Sequence, residues 1–249
     1  MRLAVVADIH GNLPALQAVI ADIADIKQRE VDGVVNLGDC VSGPLWPGET
    51  CELLMKLDWP TVRGNHDRWV TDWPPEKHYP GDAHAFSELI PQHLDWLRRH
   101  PSTLDLGKGV FACHGQPIDD NAYLLESIEN GRLVLARSEE VERRLGAVTA
   151  NIILCGHSHI ARTIVVNQTT FINPGSVGQP AYEDPSPPAH VSETGSPAAR
   201  YAVVELTSDS TDIEFRSVPY DHATAVQRAL DRGSPTWAHF LRTGYARPA

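Results

Sequence analysis

The sequence has four cysteines in 249 residues, Cys40, Cys51, Cys113 and Cys155, and no two of them form a CxxC pair. A disulfide framework and a cysteine-ligated zinc site are therefore not expected, and reduced thiols are. No run of eighteen apolar residues occurs, so no helix is expected to span a membrane. The opening MRLAVVADIH meets an acid at Asp8, before a secretory core has formed, and is not expected to be a signal peptide. A cytoplasmic location follows as the expectation. Positive charge is also scarce. Lys and Arg total 21 against 32 Asp and Glu, a formal net charge of −11. Such a surface repels phosphate polymers and anionic lipid, so neither a nucleic-acid polymer nor a membrane is an expected partner. A bound metal would still create a local positive site. With 42% hydrophobic residues the chain is neither disordered nor fibrous.

The apolar pattern begins with a short strand, Leu3–Ala7. Leu13, Leu16, Val19, Ile20 and Ile23 then recur at helical spacing, with Pro14 in the first turn, and Val34, Val35 and Leu37 make a second strand. Strand, helix, strand implies a βαβ unit within an α/β fold. Further along, the pattern predicts a helix near Glu49–Lys56 and a strand ending at Val62. Strands follow at Val110–Ala112 and Asn151–Leu154, after which Ile164–Val166 and Thr170–Ile172 read as a hairpin. Gly131–Leu145 reads as helical, and the tail offers two strands, Tyr201–Leu206 and Ile213–Val218, then a short helix. Residues 180–197 hold five of the 19 prolines and read as a surface insertion within one domain spanning 1–249.

Metal-ligand residue types concentrate just after the expected strands. Asp8-Ile9-His10 follows the first, Gly38-Asp39 the second and Gly64-Asn65-His66-Asp67 the third; His114-Gly115 and Gly156-His157-Ser158-His159 follow the Phe111 and Ile152 strands. Open α/β sheets place ligands at strand C-termini, so five segments scattered over the chain can meet at one rim. A lone DxH or GNHD carries little weight; the ordered set carries much more. Seven other histidines (His78, His84, His93, His100, His190, His222 and His239) are read as ordinary core or surface residues.

The series DIH…GD…GNHD…HG…GHSH, followed by NPGSVG at Asn173–Gly178, resembles the calcineurin-like metallophosphoesterases, and in particular their small bacterial single-domain phosphodiesterase branch. The resemblance implies a four-layer α/β/β/α sandwich of two mixed sheets with a dinuclear metal site at the strand ends. It implies one metal on Asp8, His10, Asp39 and His159, and another on Asp39, Asn65, His114 and His157, with Asp39 bridging. The donors are nitrogen and oxygen with no thiolate, which suits divalent transition metals: manganese first, with iron, zinc, nickel or cobalt as alternatives. Two divalent ions, two carboxylates and a bridging hydroxide leave about +1, enough to attract a phosphate ester. The hydroxide, between ions about 3.5–4 Å apart, would attack phosphorus. By the same resemblance His66 is not a ligand but a general acid or phosphate-orienting donor, with Asp67 near it.

Departures from the family narrow the expectation. The GDxVDRG arginine of Ser/Thr protein phosphatases and dinucleoside-tetraphosphate hydrolases is missing, since Gly38–Pro44 reads GDCVSGP. Ala181 stands where close relatives carry a basic residue after NPGSVGQP, so no substrate contact is assigned there. The expected function is metal-dependent hydrolysis of a small phosphate ester, a diester or a monoester. The alternative is a non-catalytic interaction scaffold of the retromer type, whose members have lost the Asn-His pair that this chain keeps at Asn65 and His66. A nuclease is opposed by the net charge and by the lack of large added domains. Cys40, Cys113 and Cys155 border expected ligands; burial as small apolar side chains is the reading, a redox switch the alternative. Trp46, Trp69 and Trp73 either wall a pocket or pack the core.

Overall fold

In chain order the elements begin with β1 (Arg2–Val6), α1 (Leu13–Ala24), β2 (Gly33–Asn36), α2 (Pro47–Leu57), α3 (Asn65–Asp72), α4 (Pro80–Glu88) and α5 (Pro91–Arg98). They continue with β3 (Thr103–Gly107), β4 (Val110–Cys113), β5 (Glu126–Glu129), β6 (Arg132–Leu135), α6 (Ser138–Leu145), β7 (Ile152–Leu154), β8 (Arg162–Val166) and β9 (Thr169–Asn173). The chain closes with β10 (Ala181–Asp184), β11 (His190–Glu193), β12 (Ala199–Leu206), β13 (Thr211–Val218), α7 (His222–Asp231) and α8 (Pro235–Thr243). This is a computed structural model, and it describes residues 1–26, 30–207 and 210–246.

The first βαβ unit forms as its sequence dictates. Asn12 caps α1, its side-chain oxygen accepting from the Ala15 amide at 3.3 Å, and Pro14 sits in the first turn, where no amide donor is needed. The helix buries Ala15, Leu16 and Val19, and β2 lies parallel to β1 with Val35 opposite Val5. One mixed sheet runs β13-β12-β1-β2, and a second runs β3-β4-β7-β9-β8 with β4, β7 and β9 parallel. Successive side chains point to opposite faces, so continuous apolar runs make both sheets apolar on both faces. Val5, Ala7, Val35, Leu37, Ala202 and Val204 of the first meet Val110, Ala112, Ile152, Leu154 and Ile172 of the second. On the far side of the first sheet, Ala4, Val6, Tyr201 and Val203 pack with Leu16, Leu54, Val70 and Leu97 from four helices. Beyond the second sheet, Ile153, Cys155 and Phe171 pack with Val141 of α6.

Three expectations are corrected. Gly131–Leu145 is not one helix: β6 comes first and α6 begins only at Ser138. The missed signal is Asn130-Gly131, whose φ values of 51° and 73° make the two-residue turn that closes the β5–β6 hairpin with Glu129 opposite Arg132. The strand expected to end at Val62 is a single bridge between Asn36 and Thr61. Residues 180–197, read as an insertion, carry β10 and β11, and Ala181, His190, Val191 and Ser192 are buried. Pro185, Pro187 and Pro188 stay in the exposed link between those strands, because proline cannot donate to a ladder. β10 and β11 join β6 and β5 in a third sheet that the sequence did not announce, in the order β10-β11-β6-β5.

Candidate metal centre

The expected ligands leave the ends of parallel strands. Asp8 and His10 follow β1, Asp39 follows β2, His114 follows β4, and His157 and His159 follow β7; Asn65 opens α3. Five of them turn back through left-handed backbone: Asp8 (φ 56°), His10 (49°), Asp39 (56°), His157 (67°) and His159 (62°). Non-glycine residues hold that conformation only where their surroundings over-determine it. Here backbone bonds do so: Asp8 N to Gly38 O at 3.0 Å, His10 N to Asp39 O at 2.9 Å, and Gly178 N to Asp8 O at 3.0 Å. The Ser176 hydroxyl also donates to Asp8 O at 2.8 Å. NPGSVG thus buttresses the Asp8 turn. A Cβ on Gly178 would lie 1.8 Å from the Ile9 carbonyl oxygen, and one on Gly64 2.2 Å from Asp39 Oδ1, so both approaches require glycine.

Two groups of donors result, Asp8–His10–His159 and Asp39–His114–His157, each with its donor atoms within 4.8 Å of one another. The imidazole tautomers follow from their outer partners. His10 Nδ1 donates to Ser42 O (2.9 Å), His114 Nδ1 to Leu37 O (2.7 Å) and His159 Nδ1 to Gln179 O (2.7 Å). A carbonyl only accepts, so in the neutral rings each Nε2 turns a lone pair inward. His10 Nε2 then faces His159 Nε2 at 3.3 Å. The Asn65 amide is oriented by donating from Nδ2 toward Asn121 Oδ1 (3.4 Å), which leaves its Oδ1 facing His114 Nε2 at 2.9 Å. Asp39 Oδ2 lies between the groups, 3.2 Å from His114 Nε2 and 3.8 Å from His10 Nε2. Asp8 Oδ2 is buried with no hydrogen-bond partner. Lone pairs set against lone pairs, beside an orphaned carboxylate oxygen, fit a cation. His157 is arranged the other way round, its Nε2 donating to Asn121 O at 3.1 Å, which frees Nδ1.

Protonation supports the same fit. Burial holds His10 down to about 3 and His157 to about 4, so both are neutral ligands at working pH. Burial also pushes His114 down, but the Asp39 and Asp8 carboxylates outweigh it and raise this histidine to about 10. Without a metal, His114 keeps a proton in the place a cation would take.

His66 sits at the first turn of α3, outside both groups, yet its ring lies 5.5 Å from that of His10. Its Nδ1 is 2.7 Å from Asp82 Oδ1, and Ser42 Oγ joins them, 2.6 Å from the same oxygen and 3.2 Å from Nδ1. Asp82, on α4, is wholly buried, and its Oδ2 has no hydrogen-bond partner. Burial would lower the pKa of His66, but the Asp82 charge and then that of Asp39 raise it to about 9. Asp67, expected beside His66, is engaged elsewhere. It accepts from the amides of Asp39 (2.9 Å), Cys40 (2.9 Å) and Gly64 (3.0 Å), tying the Asp39 turn to the start of α3. The carboxylate partner of His66 is therefore Asp82. It lies sixteen residues further on in a segment of unremarkable composition, and no sequence signal marked it.

Of the tryptophans, Trp69 packs its edge on His66 at 4.6 Å and stacks on Trp73 at 4.8 Å, while Trp46 lies under the Arg228 guanidinium at 5.5 Å. Arg63 is held by Thr71 and by Asp72. The four thiols are buried, and burial pushes all of them up, Cys51 and Cys113 to about 12, which opposes a redox role. Beside the second group, an open cleft of about 760 Å³ is bordered by Asn121, Tyr123, Glu126, Arg144, Asp184 and His190.

The fold and the paired clusters define a metallophosphoesterase-type site, and the comparison with known families agrees. The chain belongs to the calcineurin-like phosphoesterase superfamily, whose domain model matches residues 1–196. It is similar to a metallophosphoesterase from Sphaerobacter thermophilus, with 24% identity, 98% of this chain and 100% of that one covered, and a TM-score of 0.73. It is also similar to a hypothetical protein from Pyrococcus horikoshii, with 20% identity, coverage of 100% and 99%, and a TM-score of 0.76. An uncharacterized protein of Methanocaldococcus jannaschii is 26% identical over 94% of each chain. Among the described residues no helix is long and apolar enough to cross a membrane.

Proposed function

We infer that this protein is a dinuclear metal-dependent hydrolase of small phosphate esters, built on a four-layer α/β/β/α sandwich. The observation that carries the reading is the pair of largely buried donor groups with Asp39 Oδ2 near the histidines of both, inward lone pairs and a histidine–carboxylate pair beside them. Asp8, His10, Asp39 and His159 would hold one ion, and Asp39, Asn65, His114 and His157 the other; their nitrogen and oxygen donors suit manganese, iron, zinc, nickel or cobalt. When bound, such a pair supplies an activated water and neutralises phosphate oxygens.

The chain's own residues do the rest. Asp82 and Ser42 hold His66 at Nδ1, so its Nε2 is the atom left to face a substrate. With its pKa raised, His66 carries a proton at neutral pH and donates it from Nε2 to the departing oxygen. Asp67 acts at one remove, fixing the Asp39 turn relative to the helix that carries Asn65 and His66. The cleft beside the second group is the place for the organic part of the ester. A pure scaffold has no need of an acid–histidine pair beside the ligands, which favours the enzyme.

The test is direct. The protein is stripped with a chelator, reloaded with Mn²⁺ or each alternative ion, and assayed on a panel of phosphate mono- and diesters. Two ions per chain and turnover dependent on them are expected. Turnover that survives metal removal, or no turnover with any ion, would overturn the reading.

A further inference from the structure

The third sheet has no place in the ligand set, yet it grips the GHSH turn at three points. The Tyr123 ring, just before β5, stacks on His157 with centroids 4.8 Å apart and planes 26° apart. The Tyr182 ring, on β10, sets against His159 at 4.8 Å and 75°. Between them, the buried Ser192 hydroxyl of β11 donates to the Ser158 carbonyl at 2.7 Å.

The two tyrosines are themselves locked. His190 Nδ1 donates to Pro188 O at 2.9 Å, which makes its Nε2 an acceptor. Tyr123 donates to that nitrogen at 2.7 Å and accepts from the Tyr182 hydroxyl at 2.8 Å. Every donor in the chain Tyr182–Tyr123–His190–Pro188 thus has an acceptor, and the Tyr182 hydroxyl also lies 3.4 Å from the His157 backbone carbonyl, a second and longer acceptor. Burial of this kind without partners would be costly, and a fully satisfied network holds its rings in one arrangement.

We propose that the third sheet is a clamp on the metal ligands, with Tyr123 positioning His157 for the second ion and Tyr182 positioning His159 for the first. His157 has the most need of it. Its ring is partly exposed, and its one ring hydrogen bond runs to the carbonyl of exposed Asn121, whereas His10, His114 and His159 bond to carbonyls of buried segments. A flat aromatic face adds orientation that this single bond to an exposed loop does not supply alone. The proposal rests on the two-ion reading above.

The experiment is Mn²⁺ titration of the metal-free full-length protein against a chelating indicator, with Tyr123→Ala, Tyr123→Phe and Tyr182→Ala beside the wild type. Removing an outer partner of a ligating histidine costs about 10–100-fold in metal affinity. Tyr123→Ala should weaken one of two sites by that factor, and Tyr123→Phe, which keeps the ring but loses both hydroxyl bonds, should weaken the same site by less. In a His157→Ala background the effect of Tyr123→Ala should vanish, and in a His159→Ala background it should persist; Tyr182→Ala should show the reverse dependence. If Tyr123→Ala lacks the wild-type circular dichroism, Tyr123→Leu, which keeps apolar bulk without the flat face, is read in its place. Unchanged affinity, or a loss that persists without His157, would overturn the clamp. Fewer than two sites in the wild type would overturn the two-ion reading instead.

Discussion

The two donor groups, the halves of the proposed metal centre, are built to different standards. In the first, Asp8, His10 and His159 are at most 3% exposed, and both imidazoles are fixed by carbonyls of the buried residues Ser42 and Gln179. In the second, Asp39 and His114 are as deeply buried, but His157 is partly open and leans on Asn121, in the exposed loop between β4 and β5. The tip of that loop is tied to α3 by Arg68, whose guanidinium bonds Asp120 at 2.6 and 2.7 Å, and by the contact of Asn65 with Asn121. The first half is fixed by the core and the second partly by a loop. The first ion should therefore be the slow, tight one, and the second the exchangeable one.

The strongest way to abolish the asymmetry is to remove what the halves share. Asp39 Oδ2 lies between them, so Asp39→Asn takes a negative charge from both. Metal content by elemental analysis should fall well below two per chain, with activity near background. Two ions retained with full turnover would mean that the halves are independent and that Asp39 is no bridge.

The next effect leaves both halves intact. His66 lies outside both donor groups, so His66→Gln should keep both ions. A general acid matters in proportion to the basicity of the departing oxygen. Loss should be small on a nitrophenyl ester and about 100- to 10,000-fold on an alkyl ester. Asp82→Asn should reproduce the same ester selectivity more weakly, because it disturbs the orientation and charge of His66 without removing the ring. Equal losses on both esters would leave His66 a phosphate-gripping donor only.

These two residues also show what the sequence conveys and what it does not. Asp39 and His66 lie inside short glycine-bounded segments, legible because tight turns and ligand types must be contiguous. Asp82 reaches His66 only through the docking of α4, and a contact made by tertiary packing leaves no local pattern. Asp67 illustrates the converse error, since adjacency to His66 in the chain suggested adjacency in space, whereas the helix directs it to the Asp39 turn. The paired sheets were legible because strands buried on both faces read as apolar runs, as in Leu3–Ala7. The third sheet was not, because β5 and β6 carry mixed residues (ESIE, RLVL) and β10 and β11 lie among prolines.

Proton exchange should sharpen the contrast between the halves. In the metal-free protein His114 is raised to about 10, so at neutral pH the second ion must displace a proton, whereas His10, held to about 3, has none to give. Lowering the pH favours the protonated, metal-free form. Apparent affinity of the second site should fall about tenfold per pH unit between pH 9 and 6, the slope of one linked proton, and the first should fall less. Calorimetry in buffers of different ionisation enthalpy counts that proton. In the metal-loaded enzyme proposed above, the alkaline limit should come from His66, which would lose its proton near or below pH 9 once nearby cations draw it down. Equal pH slopes at both sites would erase the distinction.

The smallest effect isolates the loop itself. Arg68 is about one-third exposed and touches no expected ligand; it acts through Asp120 on the position of Asn121. An ion pair this open contributes roughly 0.2–1 kcal/mol, or at most about fivefold in an equilibrium constant. Arg68→Ala should therefore weaken the second ion by a fewfold and leave the first untouched, with the effect shrinking in high salt as the pair is screened. Arg68→Lys keeps the charge but not the fork, and should recover only part of the loss. Mn²⁺ titration at low and high ionic strength reads all of these. A loss spread over both sites would mean that Arg68 supports α3 as a whole, and so Asn65 and the Asp39 turn, rather than the loop over His157.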